Sequence, residues 1–172
     1  MKSSAALPVA WITLRILIIL NWLFGACILA LLICTFINAP WAMRALGISG
    51  YPDAEKVMNG MRAIAALGVS AVPINDGMLK RLLAMVETVR AGDPFVAANA
   101  YRLNGIAWLL LALQLISIVI AATAKAISTP EHPFHLDAGF SFAGWLAIVL
   151  TFVLARVFAE GTLMREDLEG TI

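Results

Sequence analysis

Hydrophobic and polar positions along this chain fall into long blocks rather than short alternations. Positions 16–37 carry no charge, and Asn21 is their one strongly polar side chain. As a helix rising about 1.5 Å per residue, that block spans about 33 Å, enough to cross a hydrocarbon core of about 30 Å. Later blocks repeat the pattern. The clearest, 105–124, has Gln114 near its middle, and 140–158 closes around Arg156. The block 61–83 is the weakest, because Pro73 and then Asn75-Asp76-Gly77 interrupt it. It predicts a kinked span, with a shallow re-entrant segment as the alternative. Asp76 and Lys80, at i and i+4, would pair at the far interface. The expected fold class is therefore all-α: one polytopic membrane domain over 1–172, packed as a four-helix transmembrane bundle.

Helical periodicity continues past the second block. Leu79, Leu82, Leu83, Val86 and Val89 keep a three-and-four spacing, with most of the charges elsewhere on the wheel. Gly92-Asp93-Pro94-Phe95 then writes a corner. Gly suits a helix C′ position, Asp a helix N-cap, and Pro the first helical position. The next helix is expected to start at Pro94 and run on through the third span. The two extensions would form a helical hairpin outside the membrane.

Composition agrees with lipid as the solvent. The chain is 62% hydrophobic and 13% charged, with a mean hydropathy of +0.90; soluble domains carry about a quarter charged residues. Lys and Arg number 12 against 11 Asp and Glu, with no basic block, which leaves no footprint for direct nucleic-acid binding. Cys27 and Cys34 would lie about 10 Å apart on one helix face, too far for a mutual disulfide. The N-terminal apolar run continues well past Cys27, so it reads as a retained span rather than a cleaved signal.

Basic residues set the expected orientation. With the four spans in place, Lys2, Arg15, Lys80, Arg81, Arg90, Arg102, Arg156 and Arg165 fall on one side. Arg44, Lys56, Arg62 and Lys125 fall on the other. The heavier side is expected to be cytoplasmic and to hold both termini. Trp11, Trp41, Trp108 and Trp145 fall near span ends, where amphipathic rings favour the interface.

The stretch Val89-Arg90-Ala91-Gly92-Asp93-Pro94-Phe95, then Asn99-Ala100, Arg102-Leu103 and Ile106-Ala107-Trp108, resembles the signature of a bacterial membrane family. So does Leu154-Ala155-Arg156-Val157-Phe158, with Glu160-Gly161 and Arg165-Glu166-Asp167-Leu168-Glu169-Gly170-Thr171-Ile172. That family is known as a domain of unknown function, and the resemblance covers 12–172. It implies about four spanning helices in a bacterial cytoplasmic membrane. It also implies a frequent genomic neighbour, a small helix-turn-helix regulator of the Cro/CI kind. It implies no activity, substrate or catalytic residue. Asn75-Asp76-Gly77 departs from the family pattern, where more apolar residues are expected.

Candidate chemistry is sparse. His132, His135 and Asp137 sit in the short loop before the last span and are plausible zinc or copper ligands, although their spacing matches no closed site. A solvated loop is the plainer reading, and pH sensing a third. Asn21, Ser70, Gln114 and Thr151 place one modest polar group in each span. Such groups either line a hydrated path or hydrogen-bond the helices together. Asp93, Phe95, Asn99, Arg102, Arg165 and Asp167 are the candidate docking residues on the hairpin and tail, with a helix cap as the competing role for Asp93. Arg156 and Glu160 are placed to pair. Leu163, Met164 and Leu168 form an apolar stripe that either packs on the hairpin or docks a partner.

No nucleophile motif or phosphate-cradling glycine loop is present, and no cofactor is implied. The expectation is a non-enzymatic membrane sensor or anchor for a cytoplasmic regulator. The alternatives are a small transporter or channel subunit, oligomerising around a path, and a structural accessory of a membrane complex.

Overall fold

A computed structural model describes residues 6–51, 53–128 and 136–169, with side chains described up to Arg165. The elements run α1 (Ala6–Ile37), α2 (Ala39–Ala45), α3 (Ala54–Arg90), α4 (Ala97–Ile127) and α5 (Phe142–Glu169). Four of them, α1, α3, α4 and α5, contain stretches long and apolar enough to cross a membrane. The chain is thus an all-helical, multi-pass membrane protein.

The long helices pack in chain order: α1 on α3, α3 on α4, and α4 on α5. Among the described residues nothing comparable closes α1 onto α5, so the bundle is an open row with these two helices at its edges. Close approach along the row uses small residues. A Cβ on Gly25 would come within 2.6 Å of the Val72 side chain, and one on Gly60 would collide with Ile127. This is the small-residue contact expected where lipid removes any hydrophobic drive between helices.

Side-chain contacts fix the heights of the helices. Arg62 donates to Thr35 Oγ1 (3.2 Å) across α3 and α1, and its guanidinium lies 4.3 Å over the Phe36 ring. Near the other end Arg102 donates to Ala84 O (3.3 Å), and the Arg81 side chain lies against Gly105. Trp108 meets Phe152 edge-on at 5.5 Å, one turn before Arg156. Trp11 stacks on Arg15 at 3.8 Å and donates to Glu87 (3.3 Å). Arg15, Arg81, Arg102 and Arg156 therefore form a belt at one height, with Arg62 marking the opposite boundary. Arg62 and Arg81 are about 29 Å apart along α3, the thickness of a hydrocarbon core.

The second block lies within one unbroken helix, long and apolar enough to cross a membrane. α3 continues without a break through Pro73 and Asn75-Asp76-Gly77, which removes the re-entrant alternative. Asp76, although about 8 Å inside the Arg81 level, is paired with Lys80 (2.7 Å) and accepts from Trp22 Nε1 (3.0 Å).

The fourth span differs from the expected block. Its helix starts at Phe142 rather than 140 and extends past 158 to Glu169. The backbone before it is irregular, and Gly139 packs against Ala121 and Ser117 of α4. Ser117 is about 15 Å along α4 from its end at Ile127, so this irregular stretch reaches membrane depth.

At the opposite end from Gly92, α2 forms a short cap. Asn38 Oδ1 accepts from Trp41 N (3.0 Å), with Pro40 in the first turn. Ala42, Ile48, Val57, Met58 and Ile127 make a buried cluster beneath it.

Candidate functional site

The Gly92 corner is built as the sequence suggests on its first side and differently on its second. Gly92 has φ +88° at the C′ position of α3. Gly92 N donates to Val89 O (3.1 Å) and Asp93 N to Thr88 O (3.0 Å), the paired pattern of a Schellman ending. The expected cap at Asp93 and helix start at Pro94 are not what forms. α4 begins at Ala97, with Val96 at the N-cap and no side-chain cap. Two groups that a continuous helix would need are used elsewhere: the Asp93 carboxylate pairs with Arg165 of α5, and Pro94 O accepts from Asn99 Nδ2 (2.9 Å).

Asn99 is the centre of the corner. It is 0% exposed. Its Nδ2 also donates to Thr88 Oγ1 (2.7 Å), and its Oδ1 accepts from Arg102 Nη1 (2.7 Å). A single carboxamide thereby ties the end of α3, the corner and the first turn of α4 into one unit. Full burial leaves Asn99 no surface to offer a docking partner. Arg102 is largely spent as well, on Asn99 and Ala84.

α5 closes the unit as a third element. The Phe95 ring lies 5.4 Å from that of Phe158, and a Cβ on Gly161 would stand 3.3 Å from the Phe95 ring. Asp93 and Arg165 meet at its rim, each about half exposed. The side chain of Asp167 lies outside the described residues. The hairpin of α3 and α4 is therefore clasped against the end of α5, which extends about 20 Å beyond Arg156. Arg156 and Glu160 pair at 2.6 Å, as their spacing predicts.

The tail packs through Phe158, Gly161 and the buried Thr162; of its apolar stripe, the side chain of Leu168 lies outside the described residues. Leu163 and Met164 stay 56% and 62% exposed. Between α4 and α5 an open cavity of about 490 Å³ is lined by Ala100, Tyr101, Asn104, Ala159 and Leu163 among others.

The intramembrane polar residues do not meet. Asn21 Nδ2 donates to Val72 O of α3 (3.0 Å). Ser70 and Thr151 hydroxyls return to their own helices, at Leu67 O and Ala147 O (each 2.7 Å). Gln114 Nε2 donates to Gly139 O (2.8 Å), and Gly139 N donates to Ser117 Oγ (2.9 Å). Gln114 thus satisfies irregular backbone at membrane depth, where an unpaired carbonyl would be costly. Sequence reading missed Ser117, Thr88 and Trp22; only the rule that buried polar groups need partners pointed toward them.

Of the candidate metal ligands, Asp137 is exposed, and His132 and His135 lie outside the described residues. No group of three or more potential ligands gathers among the described residues.

A family whose description reads "Protein of unknown function (DUF2975)" matches residues 17–172. No curated protein and no solved structure matches the chain.

Proposed function

The chain belongs to this DUF2975 family, and from that premise we propose that it is a non-enzymatic anchor or sensor in the bacterial cytoplasmic membrane, holding a cytoplasmic regulator on its clasped head. The observation that carries the reading is Leu163 and Met164. They lie about 10 Å beyond the Arg156 belt, where the solvent is water, yet both are exposed. Tyr101, 78% exposed on the neighbouring α4, lines the adjoining cavity together with Leu163. Apolar groups clustered on a water-facing surface mark an interaction site. The basic balance of the Gly92 end favours the cytoplasm for this head. A helix-turn-helix regulator of the Cro/CI kind is the partner suggested by the family's gene neighbourhood, which is an association rather than a physical warrant.

The docking surface differs from the motif itself. Asn99 and Arg102 shape the head, whereas Tyr101, Leu163 and Met164 would touch the partner, with Asp93 and Phe95 at the rim. The test is detergent co-purification of the full chain with the regulator encoded beside it. Wild type should retain the regulator. The paired change Leu163→Glu and Met164→Glu should lose it, with helix content and melting unchanged. Failure of the well-folded wild type to retain it, or retention by the double variant, refutes the reading.

A further inference from the structure

We infer that the α1–α3 face is a homodimer interface, in which two copies pair side by side through Asn75 and Asn21 within the membrane. α1 is an edge helix, and of its residues only Gly25 and Thr35 are buried. Between it and α3 lies a groove of about 530 Å³, with Leu20, Phe24 and Cys27 on one wall and Asn75 and Met78 on the other.

Apolar lining alone would suit lipid. Asn75 does not. Its carboxamide is half-buried, borders the groove, and forms no hydrogen bond among the described residues. It sits about 9 Å inside the level of Arg81, facing a groove whose other lining is mostly apolar, and hydrocarbon offers it no partner. Asn21, also on the groove, spends one N–H on Val72 O and keeps its Oδ1 for another donor. A protein partner that presents polar groups at this depth would satisfy both carboxamides.

A second copy meets that requirement by symmetry. Asn21 bonds at Val72, and its neighbour Trp22 bonds at Asp76, so Asn21 and Asn75 stand at nearly one height. A two-fold axis along the membrane normal preserves height and brings a patch against itself. Asn75 of each copy then donates to Asn21 or Asn75 of the other, while Leu20 and Phe24 fill the facing groove. The pairing is independent of the regulator reading, because it uses the opposite edge of the row and lies within the bilayer.

The experiment measures energy transfer between donor- and acceptor-labelled full chains in phosphatidylethanolamine–phosphatidylglycerol vesicles, across a range of lipid dilution. Wild type should dimerise. Asn75→Leu should weaken association about five- to tenfold, since each of two symmetric amide bonds contributes about threefold. The substitution breaks no bond within the chain, so helix content and melting should hold. Leu20→Trp, which crowds the groove without touching any hydrogen bond, is the second variant and should also weaken pairing. Monomers at every dilution would overturn the proposal. So would a dimer indifferent to both variants, which would point to a different face or to lipid on this one.

Discussion

Four side chains singled out by their depth in the spans turn out to have three different destinations. Ser70 and Thr151 bond the preceding turn of their own helices, the ordinary outcome for a short hydroxyl on a helix. Asn21 crosses to the neighbouring helix, and Gln114 reaches irregular backbone. The sequence makes it legible that each group must be satisfied. It does not make legible by what, because the position of Gly139 beside α4 depends on how far the last loop descends. That loop explains why a long carboxamide stands at 114. Gly139 has φ +117°, and a Cβ there would lie 3.0 Å from the Cβ of Ala121. Gly139→Ala is therefore expected to cost about 1–3 kcal/mol. Gln114→Leu should cost about 1 kcal/mol by removing the shorter of the two donors to a part-buried carbonyl, which keeps Ser117 Oγ at 3.4 Å. Unfolding of both variants in mixed micelles checks this; wild-type stability for either would mean that the clasp on Gly139 contributes nothing.

At the scale of elements, block lengths locate the spans well and their ends less well. The second span survives Pro73 because tertiary contacts hold α3 on both sides of it: Asn21 at Val72 and Trp22 at Asp76. Helical patterning could not weigh those contacts, since they come from another block. The Gly92 corner shows the complementary case. Gly at C′ was readable because backbone conformation demands it. The Asp-Pro cap was misleading because Arg165, 72 positions away, takes the Asp93 carboxylate. The start of α2 carries a local signal, with Asn38 as its cap and Pro40 in its first turn. The Asp93–Arg165 pair is about half exposed, so solvent screens it. A double-mutant cycle with Asp93→Ala and Arg165→Ala should yield a coupling of about 0.2–1 kcal/mol. The ring contact of Phe95 with Phe158 contributes a comparable amount, so losing the ion pair alone should leave the head folded. A coupling of several kcal/mol would instead identify the pair as the main fastening of α5.

For the whole molecule, height matters more than sequence order. The row places Arg15, Arg81, Arg102 and Arg156 in one belt and Arg62 about a membrane thickness away, although these cations are scattered along the chain. Hydropathy finds the spans; only the lateral contacts show that their charged ends align. The arginine belt and the Arg62 level, a hydrocarbon core apart, put Ala45 and Arg90 on opposite faces, with the end of α5 on the face of Arg90. This arrangement is open to direct measurement. In a Cys27→Ser, Cys34→Ser background, Ala45→Cys and Arg90→Cys should react with a membrane-impermeant maleimide from opposite sides of sealed vesicles. Cytoplasmic access at Arg90→Cys is the expected sense, because the belt on that side holds the larger share of Lys and Arg. Labelling of both positions from one side would require α3 to turn back within the bilayer, which its unbroken helix from Ala54 to Arg90 does not permit.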